Sequence, residues 1–412
     1  MQPSKFVIVI PDGCADWTIE SLGNRTPLQA ARLPNIKALA RRGIVGRSNN
    51  VPAELAPGSD VATLGLLGYD PKRYYTGRAP LEAAAQSIEL GENDWAIRCN
   101  LVTVNNGIMQ SFTAGHISSE EGAELIESLN RYFVSESAAA LKFIAGVSYR
   151  NLAILRDAEP GIFDRMTRTF PPHDFTDKQI AEALPAGRGS ELLLSLMEKS
   201  KTVLQEHPVN KKRLAEGKLP AIQVWLWGIG QKPQLPLFKE QPNAPQAGAM
   251  ITAVDLLRGI AKNIGWDTIE VPGSTGYTDT DYAAKGSYAA EALKTHDIVC
   301  VHIEAPDESG HEGSAEKKVQ ALEDIDSKTL PPILEALKQY ENSKLFISPD
   351  HPTPCALKTH TRDFVPWLFV TGNADSKNPA QTYDEETAKN SLYRFDDGYK
   401  LMRELLVGEV RK

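Results

Sequence analysis

The chain has 412 residues, 42% hydrophobic and 24% charged, with a formal net charge of −8. That length predicts two or three domains with ample core, and the acidic balance lacks the basic excess that nucleic-acid binding needs. No apolar run approaches the roughly 20 residues that span a bilayer. The four scattered cysteines form no C-x-x-C, which favours reduced thiols over a disulfide framework or a zinc knot. A strand that begins almost at once leaves no room for a secretory signal, so the expectation is a cytoplasmic protein with no membrane partner.

Residues 6–10 (Phe-Val-Ile-Val-Ile) read as a buried strand ending in Pro11-Asp12-Gly13. A helix over 33–42 fits the spacing of Ile36, Leu39 and Ala40. In Pro57-Gly58-Ser59-Asp60-Val61 the proline and glycine break the preceding structure, and Ser59 falls where a helix N-cap belongs. The same position suits a nucleophile, because free N–H groups and the helix dipole favour a phosphate. Residues 68–84 form a loop of aromatics and bases, with Arg78 a weak candidate clamp for an anion. The stretch 95–104 alternates like a strand and carries Arg98 and Asn100.

From about Val104 to Pro185 the texture changes. A strand-like piece (109–117) leads to a helix over 119–132, with Ser118-x-x-Glu121 as a capping box, then strands near 141–147 and 151–155. This β-α-β-β block reads as a small α+β domain over 106–184, inserted between two halves of a main domain at 1–105 and 185–412. The main domain resumes with an amphipathic helix (190–204), a strand (222–230), a helix (247–262) and a strand (268–271). A helix opening at Lys285 and a strand over 298–303 follow. Such alternation predicts an α/β fold with a mostly parallel sheet covered by helices on both faces. An amphipathic helix at 393–407 closes the chain.

Chemistry concentrates at strand ends. Asp12 follows the first strand, Asp307 and His311 follow the strand over 298–303, and Asp350 and His351 follow the run Lys344–Ile347, with His360 close behind. Ligands gather beyond the carboxyl ends of strands in open α/β sheets, so these groups and Ser59 are expected to converge. Asp307 and His311, four residues apart, share one face of a helical turn. Mixed carboxylate and imidazole donors suit manganese or zinc better than calcium. The set suffices for a two-metal pair, which clamps attacking and leaving oxygens in phosphoryl transfer and activates a serine hydroxyl. The sequence has no P-loop and no G-x-S-x-G elbow.

The motifs Pro11-Asp12-Gly13, Pro57-Gly58-Ser59-Asp60, Gly68-Tyr69-Asp70-Pro71, Asp307-Glu308-Ser309-Gly310-His311 and Ser348-Pro349-Asp350-His351 resemble those of the archaeal-type cofactor-independent phosphoglycerate mutases. Thr359-His360-Thr361 and the loop Gly276–Thr280 extend the likeness over nearly the whole chain. The resemblance implies an alkaline-phosphatase-like fold. It implies one metal held by Asp12, Ser59, Asp350 and His351, and another held by Asp307, His311 and His360. The ions are expected to be two divalent cations, manganese first, with zinc or magnesium as alternatives. Ser59 would be the catalytic nucleophile, carrying a phosphoserine, and the inserted domain would cover the substrate. The implied reaction interconverts 2- and 3-phosphoglycerate without bisphosphoglycerate. Arg98, His116, Arg150 and Lys285 are the candidate contacts to this small phosphorylated substrate. Gly58–Val61 and Tyr74–Arg78 also resemble a bacterial branch for which a homoserine kinase activity has been proposed. The metal residues are therefore shared with a related phosphotransferase or a phosphatase as alternatives.

Overall fold

The computed structural model describes residues 4–136, 141–164, 166–372 and 379–411. Two compact units are present, residues 1–75 with 234–412, and residues 76–233.

The first unit is built on an eight-stranded sheet. Its order is Arg394–Phe395, Ile44–Ser48, Val365–Thr371, Ser343–Ile347, Lys5–Pro11, Ile298–Ile303, Gly248–Ile251 and Asp267–Ile269. The five strands from Ser343–Ile347 to Asp267–Ile269 run parallel, and Val365–Thr371 is antiparallel to both of its neighbours. Every residue of Lys5–Pro11 is buried, as a strand covered on both faces requires, which is why its sequence is a continuous apolar run. Val7 and Val9 on one face join a core with Ile36 and Leu39 from the helix Pro34–Ala40, Ala289 from the helix Tyr282–Ala292 and Ile333 from the helix Leu330–Leu337. Phe6 on the other face meets Phe369 edge-on, with ring centroids 6.3 Å apart. Mostly parallel strands with helices on both faces were expected, and this is the architecture found.

Two elements differ from expectation. Residues 247–262 are not one helix. Gly248–Ile251 is a strand between Ile298–Ile303 and Asp267–Ile269, and the helix is Asp255–Asn263. A four-residue strand buried on both faces has no periodicity to separate it from a buried helix. The last helix is Tyr399–Val407, because Arg394–Phe395 extends the sheet edge beside Ile44–Ser48.

The second unit holds a five-stranded sheet. Its long central strand Trp95–Asn105 pairs antiparallel with Ile108–Ser111, Arg150–Leu155 and Gln223–Gly230, and Leu141–Ile144 adds to Arg150–Leu155. The helices Ser119–Glu136 and Ser190–Leu204 contribute Leu125, Leu129, Leu193 and Met197 to its core. The expected capping box is present, with Ser118 Oγ accepting from the Glu121 N–H and Glu121 Oε2 accepting from the Ser118 N–H. The unit is wider than 106–184 because Trp95–Asn105 and Gln223–Gly230, expected in the main domain, are hydrogen-bonded inside this sheet. Among the described residues all four cysteines are buried and unbridged, and no helix is long and apolar enough to cross a membrane.

Candidate metal centre

Three adjacent parallel strands deliver the site. Lys5–Pro11 lies between Ile298–Ile303 and Ser343–Ile347, so the turns beginning at Asp12, Glu304 and Ser348 open side by side. Backbone bonds stitch them together. The Asp12 N–H donates to Ile303 O at 3.0 Å, and the Ser348 N–H donates to Val9 O at 3.1 Å. The Gly13 N–H points to Asp350 Oδ1 at 3.4 Å, and Asn50 Nδ2 donates to Asp350 O at 2.8 Å.

Ser59 is the first residue of the helix Ser59–Leu66, and Gly58 rather than Ser59 holds the N-cap position. The side chain is therefore not engaged in capping. Its Oγ donates to Asp12 Oδ2 at 3.3 Å and lies 3.2 Å from His351 Nε2. His351 Nε2 is 3.5 Å from Asp12 Oδ1 and 3.5 Å from Asp350 Oδ2. The remaining expected ligands form a neighbouring group. Asp307 Oδ2 lies 3.1 Å from His311 Nε2, Asp307 Oδ1 lies 3.5 Å from His360 Nε2, and the two imidazole nitrogens are 3.0 Å apart. His311 Nδ1 meets Lys358 O, and His360 Nδ1 meets Pro57 O, so in both rings Nε2 faces inward. All seven residues expected to converge are thus together, within one unit.

The electrostatics are those of a cation site. Asp12 and Asp350 are completely buried, and Asp12 Oδ1 and Asp350 Oδ2 have no hydrogen-bond partner among the described residues. Burial and the neighbouring Asp350 carboxylate push the Asp12 pKa well above the ordinary carboxylate range. Two buried carboxylates with free oxygens are costly unless a positive charge joins them. Asp307 goes the other way. Burial would raise its pKa, but hydrogen bonds from His311 and His360 hold it well below the usual range. Burial would depress His311, but the Asp307 hydrogen bond and charge raise it to about 9. Asp307, His351 and His360 offer ligand atoms all within 4.8 Å of one another, and so do Asp12, Asp350 and His351. This donor set fits divalent cations.

Several participants were not anticipated. His302 Nε2 lies 2.8 Å from Asp12 Oδ2 and 3.4 Å from Glu304 Oε2, and its Nδ1 meets Thr252 Oγ1 at 3.1 Å. Burial lowers the His302 pKa to about 3, so it is a neutral ring backing the Asp12 carboxylate. Burial and Asp307 raise Glu304 to about 8. A lone histidine in an apolar strand gives no sequence signal for this role. Only the pairing of Ile10 with His302 brings it beside Asp12.

Lys285 is fully buried, with Nζ donating to His302 O at 3.1 Å, and burial lowers its pKa to about 8. The other expected substrate contacts lie in the second unit. Arg98 is buried, pairs with Glu82 at 2.9 Å, and stacks its guanidinium 4.1 Å from the Trp227 ring centroid. Trp227 in turn donates from Nε1 to Asn100 Oδ1. Burial, followed by the charges of Arg78 and Arg150 against the pull of Glu82, lowers Arg98 to about 10. Arg150 and His116 are exposed. His116 closes a left-handed turn with Ala114 and Gly115, at φ values of 52°, 48° and 63°.

The comparisons agree with this chemistry. The family described as 2,3-bisphosphoglycerate-independent phosphoglycerate mutase matches residues 40–210. A protein of that name from Methanothrix thermoacetophila is 44% identical over 98% of this chain and 100% of its own length. The chain belongs to the 2,3-bisphosphoglycerate-independent phosphoglycerate mutase family. A second mutase of the family, from Methanosarcina acetivorans, is 47% identical over 94% of this chain and 95% of its own. The solved cofactor-independent phosphoglycerate mutase from Thermoplasma acidophilum superimposes with a TM-score of 0.65 at 25% identity, covering 98% of this chain and 99% of that one.

Proposed function

We propose that this chain interconverts 2-phosphoglycerate and 3-phosphoglycerate through a phosphoserine at Ser59. The observation that carries the reading is the Ser59 hydroxyl, 3.2 Å from His351 Nε2 and 3.3 Å from Asp12 Oδ2, inside a buried cluster of metal-type donors. Asp12, Ser59, Asp350 and His351 form one ligand set, and Asp307, His311 and His360 form the other, for two ions with manganese first and zinc or magnesium as alternatives. When bound, such a pair neutralises phosphoryl oxygens and favours the serine alkoxide.

In this mechanism Ser59 Oγ attacks the phosphorus of one isomer, and the substrate oxygen leaves with its electron pair and takes up a proton. Glycerate is retained and turns, and its other hydroxyl recovers the phosphoryl group while Ser59 regains its proton. His302 holds Asp12 in place throughout. Arg98, with Arg150 and Arg78 close enough to perturb it, supplies the positive field for the substrate anion, and His116 and Lys285 complete the candidate contacts. Keeping water from the substrate suppresses transfer to water. The setting proposed is the cytoplasm.

An enolase-coupled assay with 3-phosphoglycerate, run beside homoserine plus ATP and a phosphatase substrate, tests this. Turnover with 3-phosphoglycerate alone, lost by about a thousandfold or more in Ser59→Ala, is the expected result. A homoserine kinase signal exceeding the mutase signal would reassign the acceptor, and substantial mutase turnover in Ser59→Ala would remove serine as the nucleophile.

A further inference from the structure

Thr353, between Pro352 and Pro354, is completely buried and held at each of its polar groups. Its N–H points to Gly13 O at 3.2 Å and Ala15 O at 3.3 Å, and its carbonyl accepts from Lys318 Nζ at 2.7 Å. Its hydroxyl donates to Asp307 Oδ1 and lies 3.3 Å from His351 Nδ1. Two glycines clear the space. A Cβ on Gly13 would stand 2.5 Å from Thr353 Oγ1, and one on Gly310 would stand 2.4 Å from Thr353 O and 2.9 Å from its Cγ2.

The proton arrangement follows. Asp307, ionised, can only accept, so the Thr353 proton goes to it, and an Oγ1 lone pair joins the Pro352 carbonyl as an acceptor for the Nδ1–H of His351. That tautomer leaves Nε2 bare on the side facing Ser59, Asp12 and Asp350, where a ligating imidazole must present it.

Resting on the metal reading above, we infer that Thr353 is a positioning residue whose single hydroxyl joins the two ligand sets, orienting the Asp307 carboxylate in one and fixing the His351 tautomer in the other. One side chain thus acts on both ions, and its loss weakens both. Packing alone would be met by valine, which has the same outline; the hydroxyl is what the metal centre uses.

The test is titration of metal-free wild-type, Thr353→Val and Thr353→Ser protein with manganese alone, followed by calorimetry. Thr353→Val should bind about 10–100-fold more weakly at both sites, the range for outer partners of metal ligands. Thr353→Ser should keep wild-type affinity while its metal-free melting temperature falls through the missing methyl. A filler role would lower melting temperatures and leave the titrations unmoved. Wild-type affinity in Thr353→Val overturns the inference while the metal reading stands, and wild-type protein that takes up no manganese overturns both. Should Thr353→Val not fold, the imidazole nitrogen NMR spectrum of wild-type protein decides. His351 protonated at Nδ1 supports the inference, and protonation at Nε2 alone sinks it.

Discussion

Metal affinity should fall steeply as the pH drops from about 9, because His311 must give up a proton before Nε2 can bind. Burial alone would make that proton easy to lose, but the Asp307 hydrogen bond and charge raise the pKa to about 9. At about pH 7 one proton must be displaced against roughly two pH units, a factor of about 100 in affinity at this ligand set. The side chain is 34% exposed, and solvent screening of its ion pair reduces the expectation to roughly 10–100-fold. Stability moves oppositely. A folded pKa above the ordinary value of about 6.5 stabilises the metal-free protein fully below that value, and the contribution is lost as pH rises through about 9. The metal-free melting temperature should therefore decline over the window in which manganese binding strengthens. Calorimetric titrations at several pH values, in buffers of different ionisation enthalpy, report affinity and proton release together. A flat affinity profile with no proton passed to the buffer would refute this account of His311.

Three further outcomes are expected. Gly13→Ala places a Cβ 2.4 Å from Asp307 Oδ1 at a backbone φ of +59°; it should cost about 1–3 kcal/mol and reduce manganese uptake, and denaturant unfolding with metal titration checks both. Lys318→Met leaves Asp16 buried without its partner at 2.8 Å, a loss of about 3–5 kcal/mol; unfolding curves matching wild type would contradict it. Arg98→Lys removes the planar stack on Trp227 and should raise KM for phosphoglycerate by about tenfold, and steady-state kinetics with an unchanged KM would exclude Arg98 from substrate binding.

The candidate metal centre was legible because its aspartates follow strand ends, and strand ends announce themselves as apolar runs followed by aspartate, proline and glycine. Asp12, Asp307 and Asp350 are each placed that way, and parallel pairing brings them together. What escaped was set by register rather than by local pattern. His302 and Thr353 act through neighbours 290 and 46 residues away, and nothing adjacent in sequence marks either. The strand Gly248–Ile251 was too short and too buried to show a period. The unit boundary was misplaced for a related reason. Trp95–Asn105 alternates as a strand in either domain, and only its partners, Arg150–Leu155 and Gln223–Gly230, decide which sheet it joins.

The parallel order of the central strands has a consequence for biosynthesis. A chain emerging from the ribosome presents Asp12 long before its partner His302, 290 residues downstream, with His360 later still. Until those distant segments are out and have closed on one another, the candidate donors are not together to capture a cation. Closures over such separations are slow, so on the proposed ligand sets loading follows folding, and fragments that stop before Asp350 should take up no metal however well their early strands collapse.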